Sequence, residues 1–400
     1  MASEKIHLPS LGMLIISGLG IVFSLTAAVV LFLIGIYTLI SERSDIGMPL
    51  SFIALSWISG LIALLALPSA IMSLLRLIGK PFQGLVLPRF INSNFALIIW
   101  PITIISGAFI TNQTSLSWLV LPPIQILAIG IPIWWLVSFV GKGIQPLSGQ
   151  SQWSLFGFSM LVNNPLIIMI ELIMLLFLGI AAAILVYQQP GIAEQLSITA
   201  QRLSVSNLDE ESIQRVVSDI MKNPFVVFSI FAVICGIGPL IEELLKTLGV
   251  WFLVRKNLSP AQGLLTGAIC GAAFALLESL GVTARPFDSL TWLVVILGRT
   301  GTGIMHILTG SLVGWGIASS VHNKKGLHIV FAFLVSVTLH GLWNLFSGLS
   351  GIGPFLDNSN KSGNFIQILV RISPYVLGLL MVVYLFLISA ANRRLNRSTI

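Results

Sequence analysis

The sequence predicts an all-α, polytopic bundle of transmembrane helices with about ten spans and both termini cytoplasmic, and three observations carry that reading. Of its 400 residues 56% are hydrophobic and only 9% charged, and the mean hydropathy is +0.98; a water-soluble domain of that composition would expose more apolar surface than water tolerates. The apolar residues fall in runs long enough to cross a hydrocarbon core, which takes about 20 residues of helix. The basic residues alternate between successive connections, as membrane orientation requires.

The qualifying runs are 11–40, 51–74, 94–110, 117–140, 158–187, 225–254, 260–282, 290–319, 328–348 and 366–390. The first is about twice as long as a signal-peptide core and no small-residue cleavage site follows it, so it is expected to remain as a span. With both termini on one side, Lys5, Arg76, Lys80, Arg89, Lys142, Arg255, Lys256, Lys324, Lys325, Arg393, Arg394 and Arg397 collect there, twelve basic residues against seven opposite. The richer side is the cytoplasmic one. The net charge of +7 is spread thinly at the ends of these runs, so membrane lipids are the expected surroundings and no nucleic acid is an expected partner.

Four regions follow. Residues 1–187 form a five-helix membrane region of unassigned role. The connection 188–223 is long and polar, with Glu194, Asp209, Glu210, Glu211 and Asp219, and should be extracytoplasmic. Within it Asn207 and Glu210 have capping-box spacing, and Ile213, Val216, Val217 and Ile220 share one helical stripe, which predicts a short amphipathic helix. Residues 224–350 hold the polar core and 351–400 a last transmembrane helix with a basic tail. Cys235 and Cys270 lie in apolar runs without metal-ligand spacing and read as packing residues.

An ionisable side chain in hydrocarbon is costly unless paired or hydrated. The runs contain Glu171, Glu242, Glu243, Lys246, Glu278, Arg299, His306 and His340, and all but Glu171 fall within about a hundred residues of one another. Glu171 reads as a packing or pore-lining acid. Pro239 suits the first turn of a helix, and Gly236 and Gly238 loosen the turn before it. Glu242 and Lys246 have i,i+4 spacing in the favourable order, so Lys246 can neutralise one carboxylate while the other remains free for chemistry. Arg299 is expected to partner Glu278. The rows Gly263, Gly267, Gly271 and Gly310, Gly314 predict close helix packing. His340 and Asn344 share a helix face. At about 1.5 Å of rise per residue, Glu242, Glu278, His306, His340 and Asn344 lie roughly 18–27 Å from the cytoplasmic ends of their spans and can share one layer.

Taken in order, Glu242-Glu243-Leu-Leu-Lys246, Phe274-Ala-Leu-Leu-Glu278, a lone His306 and His340-Gly-Leu-Trp-Asn344 resemble the PrsW family of intramembrane proteases. That family is placed within a wider superfamily of CAAX prenyl proteases and Abi-type membrane proteins. The resemblance covers about residues 225–348. Lys246 and Glu278 follow the PrsW variant of the motifs, whereas Asn344 stands where the family often has Asp. It implies hydrolysis of membrane-anchored protein or peptide substrates in a bacterial or archaeal cell membrane, with Glu242, Glu243, Lys246, Glu278, His306, His340 and Asn344 as site residues.

Amide hydrolysis needs an activated water, an oxyanion stabiliser and a proton donor for the leaving nitrogen. Glu242 or Glu243 is the expected general base, His306 and His340 orient water or bind a metal, and Asn344 donates to the oxyanion. Two variants stand open: a metal-free glutamate mechanism, and a zinc-type one with Glu278, His306 and His340 as ligands. Two readings from other classes are a non-catalytic scaffold of the same superfamily and a proton-coupled transporter. The transporter would show matching broken helices in both halves, whereas the polar signal here is confined to one.

Overall fold

The computed structural model describes residues 7–41, 47–80, 93–112, 117–187, 224–255, 257–356 and 364–397. The expected loop helix within 188–223 lies outside them. The described residues form helices joined by short turns, with no strand among them. In chain order the elements are α1 (Leu8–Ile40), α2 (Gly47–Leu77), α3 (Ser93–Ile110), α4 (Ser117–Val140), α5 (Gly149–Phe158), a π-helical turn Ser159–Asn163, α6 (Asn164–Tyr187), α7 (Pro224–Ala232), a second π-helical turn Val233–Ile237, α8 (Gly238–Leu245), α9 (Leu248–Val254), α10 (Pro260–Thr283), α11 (Ser289–His322), α12 (Leu327–Leu356) and α13 (Asn364–Arg397). Among the described residues nine helices are long and apolar enough to cross a membrane, and Ile98–Ile110 is a shorter apolar one. The chain is therefore an integral, multi-pass membrane protein. The fifth span begins at Gly149, nine residues before the expected run. Ser148 caps it, and Ser151 and Gln152 are buried in protein, where polar side chains escape a hydropathy search.

The chain divides into two compact units. The first comprises Met1–Pro165, Glu243–Ser336 and Met381–Ile400. Its centre is the pair α10 and α11. Side chains added at Gly263, Gly267 and Gly271 would collide with Gly314, Gly310 and His306 backbone oxygens respectively. These glycines bring two backbones into contact, as the spacing predicts, and bury most of both helices. Trp292 is fully buried against Gly107 of α3. Ser17 Oγ donates to Ser69 Oγ at 3.0 Å and Ser56 Oγ to Ala28 O at 2.7 Å, joining α1 to α2. Asn392 on α13 donates to Val140 O at 2.6 Å and Lys142 O at 2.9 Å, supplying acceptors at the end of α4 that its own helix leaves unserved.

The second unit comprises Leu166–Glu242 and Val337–Leu380. Pro239 has no N–H, so the carbonyl four residues back, Cys235 O, lacks its helical donor. The π-helical turn Val233–Ile237 falls at this place, where the sequence predicts irregularity. A side chain at Gly341 would strike Cys235 O, and one at Gly348 would meet the Phe231 ring at 3.0 Å, so the glycines of α12 admit the distorted segment. Leu172, Leu176 and Phe177 of α6 and Tyr375 and Leu379 of α13 are exposed, as lipid-facing side chains are.

Candidate active site

In the first unit, four of the expected site residues form one connected array with Arg299. α8 ends at Leu245, and Lys246 and Thr247 make a turn before α9 resumes at Leu248. That break directs Lys246 inward, where it is fully buried. Its Nζ lies 2.5 Å from Glu243 Oε1, donates to Thr309 Oγ1 at 2.8 Å and lies 3.4 Å from His306 Nδ1. The i,i+4 reading is corrected here: the carboxylate on Lys246 is Glu243, three residues back. The helix unwinds directly after Leu245, so Lys246 is not carried over the face that regular i,i+4 stacking would give it.

His306 Nε2 lies 2.7 Å from Glu278 Oε2. The same oxygen is 2.7 Å from Arg299 Nη2, and Arg299 Nε donates to Ser279 Oγ at 3.1 Å. The expected pairing of Arg299 with Glu278 is present. An ammonium can only donate, so Nδ1 of His306 keeps its lone pair towards Lys246 and the ring proton sits on Nε2, donated to Glu278. The Phe274 ring packs edge-on against His306, with centroids 4.7 Å apart, and lies 5.8 Å from Lys246 Nζ. Two carboxylates thus face two cations with the His306 ring between them. A balanced, hydrogen-bonded set is the form in which charges survive burial. Glu278, expected as a metal ligand, already serves Arg299 and His306, and keeps 37% of its side chain exposed.

Sequence reasoning missed Thr309 and Ser279. Thr309 is three residues beyond His306, on the same helix face, and that spacing was a usable signal. Ser279 follows Glu278 directly, and nothing in a lone serine distinguishes it from ordinary packing.

In the second unit Glu242 Oε2 lies 3.8 Å from His340 Nε2, with side-chain exposures of 13% and 1%. Asn344, one turn beyond His340, donates from Nδ2 to Ile234 O at 2.9 Å, a carbonyl of the π-helical turn. Its amide braces that turn, so the oxyanion role expected of it would have to share the group. Glu242 and His340 are a carboxylate and an imidazole, donors that suit a divalent transition metal.

Fold and site together define a multi-pass membrane protein with a buried array of acidic and basic side chains. The family described as PrsW family intramembrane metalloprotease matches residues 172–388, more than half of the chain, and this protein belongs to that family of membrane peptidases. No curated protein and no solved structure matches the chain.

Proposed function

We propose that this protein hydrolyses peptide bonds of membrane-anchored proteins or peptides, with Glu242 as general base and His340 beside it, buried carboxylates and imidazoles being the donor types that a divalent metal such as zinc takes. The observation that carries the reading is the charge-balanced array Glu243, Lys246, His306, Glu278 and Arg299, buried within the residues that the family matches. When bound, such an ion polarises a carbonyl and acidifies its water.

The chain's own residues divide the remaining work. Glu242 takes the proton of the attacking water and returns it to the leaving nitrogen. Glu278 accepts the Nε2–H of His306 and so fixes the orientation of the ring, with Arg299 neutralising the carboxylate that does this. Glu243 and Lys246 are a locked pair that fixes the end of α8 and hence presents the preceding residue, Glu242. Asn344 steadies the π-helical turn. The reading extends to the wider CAAX protease and Abi superfamily, whose motif order the chain follows, and to a bacterial or archaeal cell membrane.

Membranes holding the native protein are compared by proteomics with membranes holding Glu242→Gln. Fragments cut near a membrane boundary are expected to vanish in the variant while its folded yield is kept; an identical fragment pattern overturns the protease reading. Protein purified without added metal is expected to carry about one divalent ion per chain, lost in His340→Ala. Cleavage that survives complete chelation overturns the metal assignment.

A further inference from the structure

We infer that Asn163 and Asn164, which precede the family-matched residues, are positioning residues that clamp the Lys246 break to the helix carrying Phe274 and Glu278; the inference rests on the proposed activity. Both are buried, at 0% and 3% exposure. They stand at the junction of the π-helical turn Ser159–Asn163 and α6, inside the first unit.

The need for Asn163 is visible in the backbone. In an unbroken helix Lys246 O would accept from the N–H of Val250. Here that N–H turns to Thr247 O, at 2.9 Å, as α9 begins with a tight turn. The carbonyl of Lys246 is left without its helical donor in a buried place, where an unserved polar group is costly. Asn163 Nδ2 donates to it at 2.9 Å. The next residue, Asn164, donates from Nδ2 to Ala273 O at 3.1 Å. Ala273 directly precedes Phe274, the ring that packs on His306 and lies beneath Lys246. Consecutive amides therefore hold the backbone of the lysine on one side and the backbone of its aromatic neighbour on the other. The fifth span acts as a brace for the array, which gives a role to a region that the sequence left unassigned. Two adjacent carboxamides within an apolar run are anomalous by the same rule that exposed the charged residues.

The test uses the full chain in lipid nanodiscs and has two arms. In hydrogen exchange, Asn163→Leu is expected to speed exchange in peptides covering 247–254 at least tenfold, and Asn164→Leu in peptides covering 270–278, with α1 and α2 unchanged. Native-like exchange in both variants overturns the clamp. In the second arm a quenched-fluorescence peptide copies the most abundant Glu242-dependent cleavage boundary. Asn163→Leu is expected to lower kcat at least tenfold with KM within twofold. Asn163→Asp should be inactive where its carboxylate is ionised and facing a carbonyl, and should gain activity relative to the native protein as the pH falls and its O–H becomes a donor. A parallel pH profile, or kcat and KM that move only with the folded fraction, overturns the positioning role. If no Glu242-dependent fragment exists, the proposed activity and this role fall together; native-like exchange with such fragments present overturns the clamp alone.

Discussion

Replacing Lys246 by methionine keeps the apolar stem and removes the ammonium. The Glu243 carboxylate, fully buried and 2.5 Å from Lys246 Nζ, is then left without that partner, and Thr309 Oγ1 loses its donor at 2.8 Å. Breaking a buried pair from one side costs about 3–5 kcal/mol, which is roughly two to four powers of ten in the folding equilibrium. The paired replacement Lys246→Met with Glu243→Gln removes both charges together. Its cost should be near zero, because two buried charges and the attraction that compensated them disappear at once. The measurement is a double-mutant cycle on unfolding in detergent micelles, followed by helical circular dichroism, with a coupling of at least about 2 kcal/mol expected. The locked-pair reading fails if Lys246→Met lies within about 1 kcal/mol of the native protein, or if the double variant is no more stable than the single one.

Further outcomes follow from other parts of the molecule. Gly267→Leu places a side chain on the Gly310 carbonyl and should cost about 1–3 kcal/mol or more by overpacking, whereas Gly12→Ala, with nothing within 4 Å, should be neutral; thermal unfolding compares them. Asn392→Leu leaves Val140 O and Lys142 O without their side-chain donor and should lower stability by about 1–3 kcal/mol, with earlier proteolysis of the C-terminal helix as a second readout. Asp288 caps α11 by accepting from Leu290 N at 2.9 Å and Thr291 N at 3.0 Å. The Thr291 side chain first, and these backbone donors with it, hold its carboxyl below the usual aspartate value. Its stabilisation is therefore complete above the ordinary aspartate range and is lost as the pH falls below about 4. Asp288→Asn should flatten that acid-side slope of the melting temperature, and an unchanged slope would refute the assignment.

Much of the site was legible because hydrocarbon makes polar residues conspicuous. Glu243, Lys246, Glu278, Arg299 and His306 stood out by their solvent alone, and four of their contacts link residues the sequence had singled out. The pairing of Lys246 was misread because i,i+4 geometry presumes a helix that continues, and α8 stops at Leu245. Asn163 escaped notice because its partner is a backbone carbonyl, which exists at every residue and becomes a target only where a helix is interrupted.

Composition and run length determined by themselves that this chain lives in a membrane as a series of helices, because the cost of apolar surface in water and of unpaired backbone in lipid depends on residue type and order alone. The glycine rows likewise announced close helix packing, and the structure pairs them as α10 against α11. Tertiary structure alone decided which carboxylate meets which cation, where α8 breaks and which span supplies the missing hydrogen bond. Those choices are made by distances of a few ångströms between residues far apart in the chain, and no local pattern encodes them.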